Sequence, residues 1–119
     1  MENSSNTYPS IAEFLNRYAT GERNFTGIEL SQADLSAVSL KGADLSYSDL
    51  SEANLNNANL RGADLSYANL SAANLTEADL RGTSLFGADF RNAILNGVKL
   101  AEADYDSTTQ FPDGFAPKA

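Results

Sequence analysis

A leucine recurs at every fifth position through most of this chain. Of the fifteen positions divisible by five from 30 to 100, fourteen are Leu and one is Phe90. On an α-helix, a step of five residues turns the side chain by about 140° beyond a full turn, so the leucines would spread over every face. On a flat strand, an odd step would place successive leucines on opposite sides. The pattern therefore predicts a chain that bends within every five residues, so that all leucines face one axis.

A second period gives the number of bends in one circuit. Thirteen of twenty positions are identical between residues 41–60 and 61–80, and twenty residues are four pentapeptides. Each residue should therefore lie beside its counterpart twenty positions later. The sixteen pentapeptides of residues 28–107 predict an all-β solenoid of about four square coils. At the usual inter-strand spacing of about 4.8 Å, this rod is roughly 20 Å long.

The leucine positions are predicted to form four ladders inside the solenoid. Burial of each large apolar side chain contributes roughly 1.5–3 kcal/mol, so these ladders are the main stabilising contribution. The ladders are Phe25–Leu45–Leu65–Leu85–Tyr105, Leu30–Leu50–Leu70–Phe90, Leu35–Leu55–Leu75–Leu95 and Leu40–Leu60–Leu80–Leu100.

Small and turn-forming residues surround each ladder position. Ala stands two residues before the ladder residue in eleven of the sixteen pentapeptides, and Asp or Asn stands directly before it in eleven. Ala is predicted to point inward near a bend, where a larger side chain would collide with the ladder. Asp and Asn are predicted to hydrogen-bond neighbouring backbone amides. Five glycines two residues after a ladder position would allow positive φ at a bend: Gly42, Gly62, Gly82, Gly87 and Gly97.

The repeated motif is Ala-(Asp/Asn)-Leu-x-x, with clear copies beginning at Ala43, Ala58 and Ala73. This motif resembles that of the pentapeptide repeat family, and the resemblance covers residues 24–107. It implies a right-handed quadrilateral β-helix. The handedness comes from the resemblance and not from the spacing.

The N-terminal part of the chain is predicted to cap the solenoid. Ser10 and Glu13 have the spacing of a capping box, and Glu13 and Arg17 have the order of a helical ion pair. Apolar residues then follow at helical spacing until Gly21. We predict a short helix over residues 11–20 that lies on the first coil. A helix that binds a partner is the alternative.

The C-terminal part is also predicted to close an open end. Asp113 and Gly114 indicate a turn, and Phe111 and Phe115 would fold back over the last coil. The alternative is an end-to-end homodimer contact, which some members of the family make at this end. The predicted division is a disordered tail, a capping helix, the β-helix and a C-terminal cap: residues 1–9, 10–21, 22–107 and 108–119.

Composition excludes several classes of function. The chain has 16 acidic and 8 basic residues, a net charge of −8, and neither His nor Cys. The charge disfavours direct binding of nucleic acid, because phosphate contacts need Lys and Arg. Without Cys, neither disulfides nor thiolate metal sites can form. We expect no cofactor, no metal and no catalytic residue, and the repeated carboxylates are interpreted as turn-forming.

No secretory signal or apolar span is recognised, so a cytoplasmic protein is expected.

Two surface columns are candidate protein contacts. Tyr47 and Tyr67 are predicted to stack outside on adjacent coils, with Phe86 one position away on the next coil. They either stabilise their own ladder or form an interface. A basic column consists of Lys41, Arg61 and Arg81. It is either a solubilising stripe, neutralised by acids such as Asp79, or a contact for an anion or an acidic protein.

The sequence favours a non-enzymatic structural or protein-interaction module with an unidentified protein partner, as a monomer or an end-to-end homodimer. The family resemblance implies one alternative, a DNA mimic that modulates a type II topoisomerase such as gyrase. Residues 24–107 carry twelve acids and five bases, a net charge of −7. Duplex DNA carries about twelve charges over a length of 20 Å. The chain is therefore less charged than the DNA that it would imitate.

Overall fold

The computed structural model describes residues 10–117. In this part of the chain, the regular elements are one helix, α1 at Ile11–Ala19, and a series of isolated parallel β-bridges. The bridges run from the pair Asn24–Asp44 to the pair Asp89–Gln110. The predicted tail, residues 1–9, lies outside the described residues. Across residues 10–117, no helix combines the length and apolar character needed to cross a bilayer.

The bridges have the period of twenty that the sequence predicts. Asp44 pairs in parallel with Asp64, and all but the last bridge join residues twenty positions apart. The Leu45 amide donates to the Asp64 carbonyl of the next coil at 2.8 Å. At the junction with the next pentapeptide, the Ser48 amide donates to the Leu45 carbonyl at 3.1 Å and closes a turn. The chain therefore turns a corner in every pentapeptide, and four corners complete one coil.

Every corner has the same backbone conformation, whichever residue occupies it. The second residue after each ladder position, from Gly27 to Glu102, has φ between 59° and 74°. A turn closed by an amide-to-carbonyl hydrogen bond, with positive φ at its third residue, is a type II turn. The predicted glycines occupy some of these corners, but ten of the sixteen carry another residue. Since a side chain in this region costs roughly 1–2 kcal/mol, pairing between coils must impose the conformation.

The predicted ladders form the core. Ladder residues from Phe25 to Leu95 are buried, and so are the Ala side chains that precede most of them. Leu100 and Tyr105 are only half-buried, because they lie in the last coil. The core is thus one continuous apolar column.

The first coil meets α1 through aromatic side chains. The fully buried Phe14 meets Phe25 edge-on, with ring centroids 4.8 Å apart at an interplanar angle of 78°. The Tyr18 hydroxyl donates to the Lys41 carbonyl at 2.7 Å. The helix therefore packs on the start of the solenoid and hydrogen-bonds to its backbone at Lys41.

The start of α1 has the predicted capping box. Ser10 Oγ accepts from the Glu13 amide at 3.0 Å, and the Ser10 amide donates to Glu13 Oε1 at 3.0 Å. The predicted ion pair of Glu13 with Arg17 is wrong. The Glu13 carboxylate is directed back to the N-cap, whereas Arg17 forms a two-point pair with Glu22, the shorter contact being 2.6 Å.

At the other end, parallel pairing continues to Gln110, beyond residue 107. Asp89 pairs with Gln110 at an offset of twenty-one, so this coil contains one extra residue. The extra residue lies in a turn that the Thr109 amide closes by donating to the Asp106 carbonyl at 3.1 Å. Phe111 then stacks on Phe90, with centroids 5.7 Å apart and an interplanar angle of 8°. Because of the extra residue, the Phe111 ring extends the second ladder, which ends at Phe90.

Ser48 is a small inward-facing residue whose buried hydroxyl group is not hydrogen-bonded within the described chain. Its side chain is buried, and its Oγ has no hydrogen-bond partner among the described residues. Burying a hydroxyl without a partner costs roughly 1–3 kcal/mol. Ser48→Ala should therefore raise the free energy of unfolding by about 1 kcal/mol, measured by urea denaturation. Thr83 is the matched control, because its Oγ1 donates to the Leu80 carbonyl at 2.8 Å.

Thr83→Val should have the opposite sign and lower the free energy of unfolding by about 1 kcal/mol, because it removes a satisfied hydrogen bond. If Ser48→Ala destabilised the protein as much as Thr83→Val does, the Ser48 hydroxyl would have a partner in solution.

Candidate functional site

Two tyrosines form the most exposed aromatic surface of the described chain. Tyr47 is 62% exposed and Tyr67 is 56% exposed. Their rings stack with centroids 5.1 Å apart and an interplanar angle of 16°. Both stand at corners with φ near 60°, which direct the side chain away from the core. We call this pair the tyrosine stack.

A glycine on the next coil gives the tyrosine stack its support. Gly87 occupies the corner after Tyr67, and a Cβ atom there would collide with the Tyr67 ring. The ring therefore lies over Gly87 on one face and against Tyr47 on the other. Gly27 occupies the corner before Tyr47, and nothing lies within 4 Å of the position of its missing Cβ. Gly27 therefore places no side chain over the outer face of the Tyr47 ring, and Tyr47 is 62% exposed.

Phe86 lies in a different column from the tyrosines. It stands directly after the ladder residue Leu85, whereas the tyrosines stand one position later in their pentapeptides. Phe86 is 37% exposed, and among residues 10–117 it makes no ring contact with Tyr47 or Tyr67. The structure thus brings the two tyrosines together and leaves Phe86 apart.

Carboxylates flank the tyrosine stack on both sides. Asp44 Oδ1 accepts from the Ser46 hydroxyl at 2.7 Å and from the Ser46 amide at 3.0 Å, and these bonds lower the pKa of Asp44. Asp49 Oδ1 accepts from the hydroxyl and the amide of Ser51 in the same way. The hydrogen bonds are those predicted for turn-forming residues, and their geometry recurs in most pentapeptides.

The basic column lies at another corner of the square. Lys41, Arg61 and Arg81 line a shallow groove of about 480 Å³, together with Gly62 and Gly82. The column follows the fourth ladder, whereas the tyrosine stack follows the first. The two predicted surfaces are therefore neighbouring edges of the solenoid and not one site.

Arg81 in this column is already neutralised. It forms a two-point pair with Asp79, with contacts of 2.6 and 2.9 Å. The hydrogen-bonded guanidinium lowers the pKa of the Asp79 carboxyl.

Across residues 10–117, no group of three or more acidic residues is arranged to hold a metal ion.

The period of five, the coil of twenty and the corner geometry point to one family. The profile described as "Pentapeptide repeats (8 copies)" matches residues 24–62, 43–82 and 63–101. The chain belongs to the pentapeptide repeat family.

Solved structures of pentapeptide repeat proteins resemble this one. alr5209 from Nostoc PCC 7120 is 49% identical, with 94% of this chain and 93% of that chain covered and a TM-score of 0.90. Rfr23 from Cyanothece 51142 is 36% identical over 74% of this chain and 60% of that one, with a TM-score of 0.38.

HetL from Nostoc sp. PCC 7120, a protein involved in the regulation of heterocyst differentiation, is 37% identical. The match covers 68% of this chain and 46% of HetL, with a TM-score of 0.35. The comparison with curated proteins gave no significant match.

This pentapeptide repeat protein also has an apolar cleft that sequence reasoning missed. The cleft, of about 920 Å³, lies between the last coil and Phe115, and Leu95, Val98 and Leu100 contribute to its lining. The phenylalanines near the C-terminus were the only sequence signal for it. Phe115 contacts Phe111 at 5.3 Å between centroids and leaves part of the last coil open.

Proposed function

We propose that this pentapeptide repeat protein is a non-enzymatic protein-interaction module whose contact surface is centred on the tyrosine stack. The observation that carries the proposal is that two stacked tyrosines, each more than half exposed, stand at rigid corners of the solenoid. Tyr side chains are enriched at protein interfaces, since they supply a large contact area with little loss of conformational freedom. The hydrogen-bonded carboxylates at the corners support a structural role for the acidic residues.

The finer architecture that we propose is a right-handed quadrilateral β-helix of about four coils with a cap at each end. The contact of Phe14 with Phe25 supports a capping role for α1. Contacts of Phe111 with Phe90 and Tyr105 support a partial cap at the C-terminal end. The cleft that remains beside Phe115 is compatible with either a monomer or an end-to-end homodimer.

The DNA-mimic alternative has less support than a protein-interaction module. A mimic of duplex DNA needs a continuous acidic surface, and the basic column of Lys41, Arg61 and Arg81 interrupts it. The charge of residues 24–107 is also below that of DNA of the same length. We therefore retain the protein-interaction module as the proposed function.

The tyrosine stack can be tested by differential capture. The Tyr47→Ser/Tyr67→Ser double variant should lose, by tenfold or more, the proteins that the wild type captures from a lysate of the source organism. Truncated aromatic contacts at the centre of an interface typically cost at least 2 kcal/mol, which corresponds to more than tenfold in affinity. The measurement is quantitative mass spectrometry of the captured proteins.

Lys41→Ser/Arg61→Ser is the matched control, because it removes two exposed side chains from a neighbouring corner. It should retain the captured proteins, and the circular dichroism of both variants should match that of the wild type. Retention of the same proteins by the tyrosine variant would count against the proposed surface.

A further inference from the structure

The surface around the tyrosine stack carries acidic side chains that form no ion pair within the described part of the chain. The ten-residue stretches around the two tyrosines, residues 43–52 and 63–72, contain four acidic residues and no Lys or Arg. Those acidic residues are Asp44, Asp49, Glu52 and Asp64. The charged side chains of these two stretches are therefore all negative, and the basic column begins at the neighbouring corner.

Elsewhere on the solenoid, two carboxylates of the same type are each paired with an Arg two residues later. Arg81 pairs with Asp79 at 2.6 Å, and Arg91 pairs with Asp89 at 2.8 Å. Beside the tyrosine stack, Ser occupies the position that Arg has in those pairs, so the hydrogen bonds remain but the positive charge is missing. Among residues 10–117, no ion pair involves any of the four acidic residues around the stack.

The local hydrogen bonds leave one carboxylate oxygen available on three of these residues, Asp49, Glu52 and Asp64. Asp49 uses Oδ1 for Ser51, at 2.6 Å to the hydroxyl, and Glu52 uses Oε1 for the Gln32 side chain, at 2.7 Å. Within the described part of the chain, neither Asp49 Oδ2 nor Glu52 Oε2 has a hydrogen-bond partner. Asp49 and Glu52 follow Tyr47 along the same coil. Asp49 lies on the side of the square that begins at the Tyr47 corner, and Glu52 lies at the corner that ends this side.

The exposed ring of Tyr47 lies at the edge of this acidic surface. The face of an aromatic ring attracts cations, and a guanidinium can stack on the ring while donating hydrogen bonds to carboxylates. Gly27, which precedes Tyr47 in the column of corners, contributes no side chain that would cover the ring.

We propose that the tyrosine stack and its acidic surroundings bind an Arg-bearing peptide segment of a partner protein. One guanidinium stacks on Tyr47, and the arginines of the segment donate hydrogen bonds to the available oxygens of Asp49 and Glu52. The inference rests on the proposed function and specifies the chemistry of the partner. Its basis is the coincidence of an exposed aromatic ring with carboxylates that form no ion pair, along the side of the solenoid that begins at the Tyr47 corner.

The probe is a fluorescein-labelled octapeptide, Gly-Ser-Arg-Gly-Arg-Ser-Gly-Ser, whose binding to the full chain is followed by fluorescence anisotropy at low ionic strength. The same peptide with citrulline in place of arginine keeps the shape and removes the charge. A third peptide carries glutamate in place of arginine. The arginine peptide should bind at least tenfold more tightly than the citrulline peptide, and added salt should weaken its binding.

Three variants separate the contributions to binding. Tyr47→Leu, which keeps an apolar side chain without the aromatic face, should weaken the binding of the arginine peptide about threefold. Asp49→Asn/Glu52→Gln should weaken it about fivefold to tenfold. Asp34→Asn is the matched control, because Asp34 is an exposed carboxylate on another face of the solenoid, and binding should change less than about twofold.

Three results would overturn the proposal. They are equal binding of the arginine and citrulline peptides, no effect of Tyr47→Leu, and a loss with Asp34→Asn that equals the loss with Asp49→Asn/Glu52→Gln. If the tyrosine variant still lost its captured proteins, the proposed contact surface would stand and only the cationic partner would be wrong. If capture and peptide binding were both independent of the tyrosines, both proposals would fail.

Discussion

Phe14→Ala should lower the free energy of unfolding by about 3–5 kcal/mol, the usual cost of truncating a buried Phe. The Phe14 side chain is fully buried, and it meets the Phe25 ring at the first rung of the first ladder. Its removal leaves a cavity between α1 and the first coil. The helix has nine residues, which is too short to be stable without this packing. Urea denaturation followed by circular dichroism measures the change.

Asn16→Ala is the control for Phe14→Ala. Asn16 is exposed on the same helix, so its replacement should change the free energy of unfolding by no more than about 0.5 kcal/mol. Equal effects of the two substitutions would mean that α1 does not pack on the solenoid in solution. The capping role of the helix would then be wrong.

Leu65→Ala should lower the free energy of unfolding by about 2–5 kcal/mol. Leu65 is fully buried in the middle of a ladder. Its backbone is held from both sides, since the Leu65 amide donates to Ser84 at 2.8 Å and the Leu45 amide donates to Asp64 at 2.8 Å. Because these bonds fix the coil, the structure cannot collapse into the cavity, and the cost should be in the upper part of the range.

Ser66→Ala is the control for Leu65→Ala, because the neighbouring side chain points outward. Its hydroxyl contacts the Ser84 hydroxyl at 2.8 Å, so its loss should cost no more than about 1 kcal/mol. In urea denaturation, the free energy of unfolding should fall with urea concentration at a similar slope for both variants if their denatured states are equally expanded. A cost for Ser66→Ala that matched the cost for Leu65→Ala would contradict the assignment of inward and outward positions.

The ends of the chain were predictable to different degrees. The capping box of Ser10 and Glu13 is a short-range signal, and the structure has it. The pairing of Arg17 with Glu22 was missed, because the helix ends between them and helical spacing no longer applies. The extra residue before Gln110 was also missed, since the shifted register is revealed by the pairing of Asp89 with Gln110 and the stacking of Phe111 on Phe90, which are contacts between coils.

The candidate site was predicted in part. The stacking of Tyr47 on Tyr67 follows from the period of twenty alone. Phe86 was grouped with them because it lies one position away, but one position at a corner is enough to separate the two columns. The position of the stack depends on Gly87, because a Cβ atom there would collide with the Tyr67 ring.

The sequence by itself determined which residues form the core and how many residues make one coil. An apolar residue at every fifth position can share a dry interior only if the chain turns four corners in each twenty residues. The tertiary structure alone decided the conformation of the ten corners without glycine and the contacts between surface side chains. Hydrogen bonds between coils impose positive φ on whichever residue occupies a corner, and the contacts of a surface side chain depend on its neighbours one coil away.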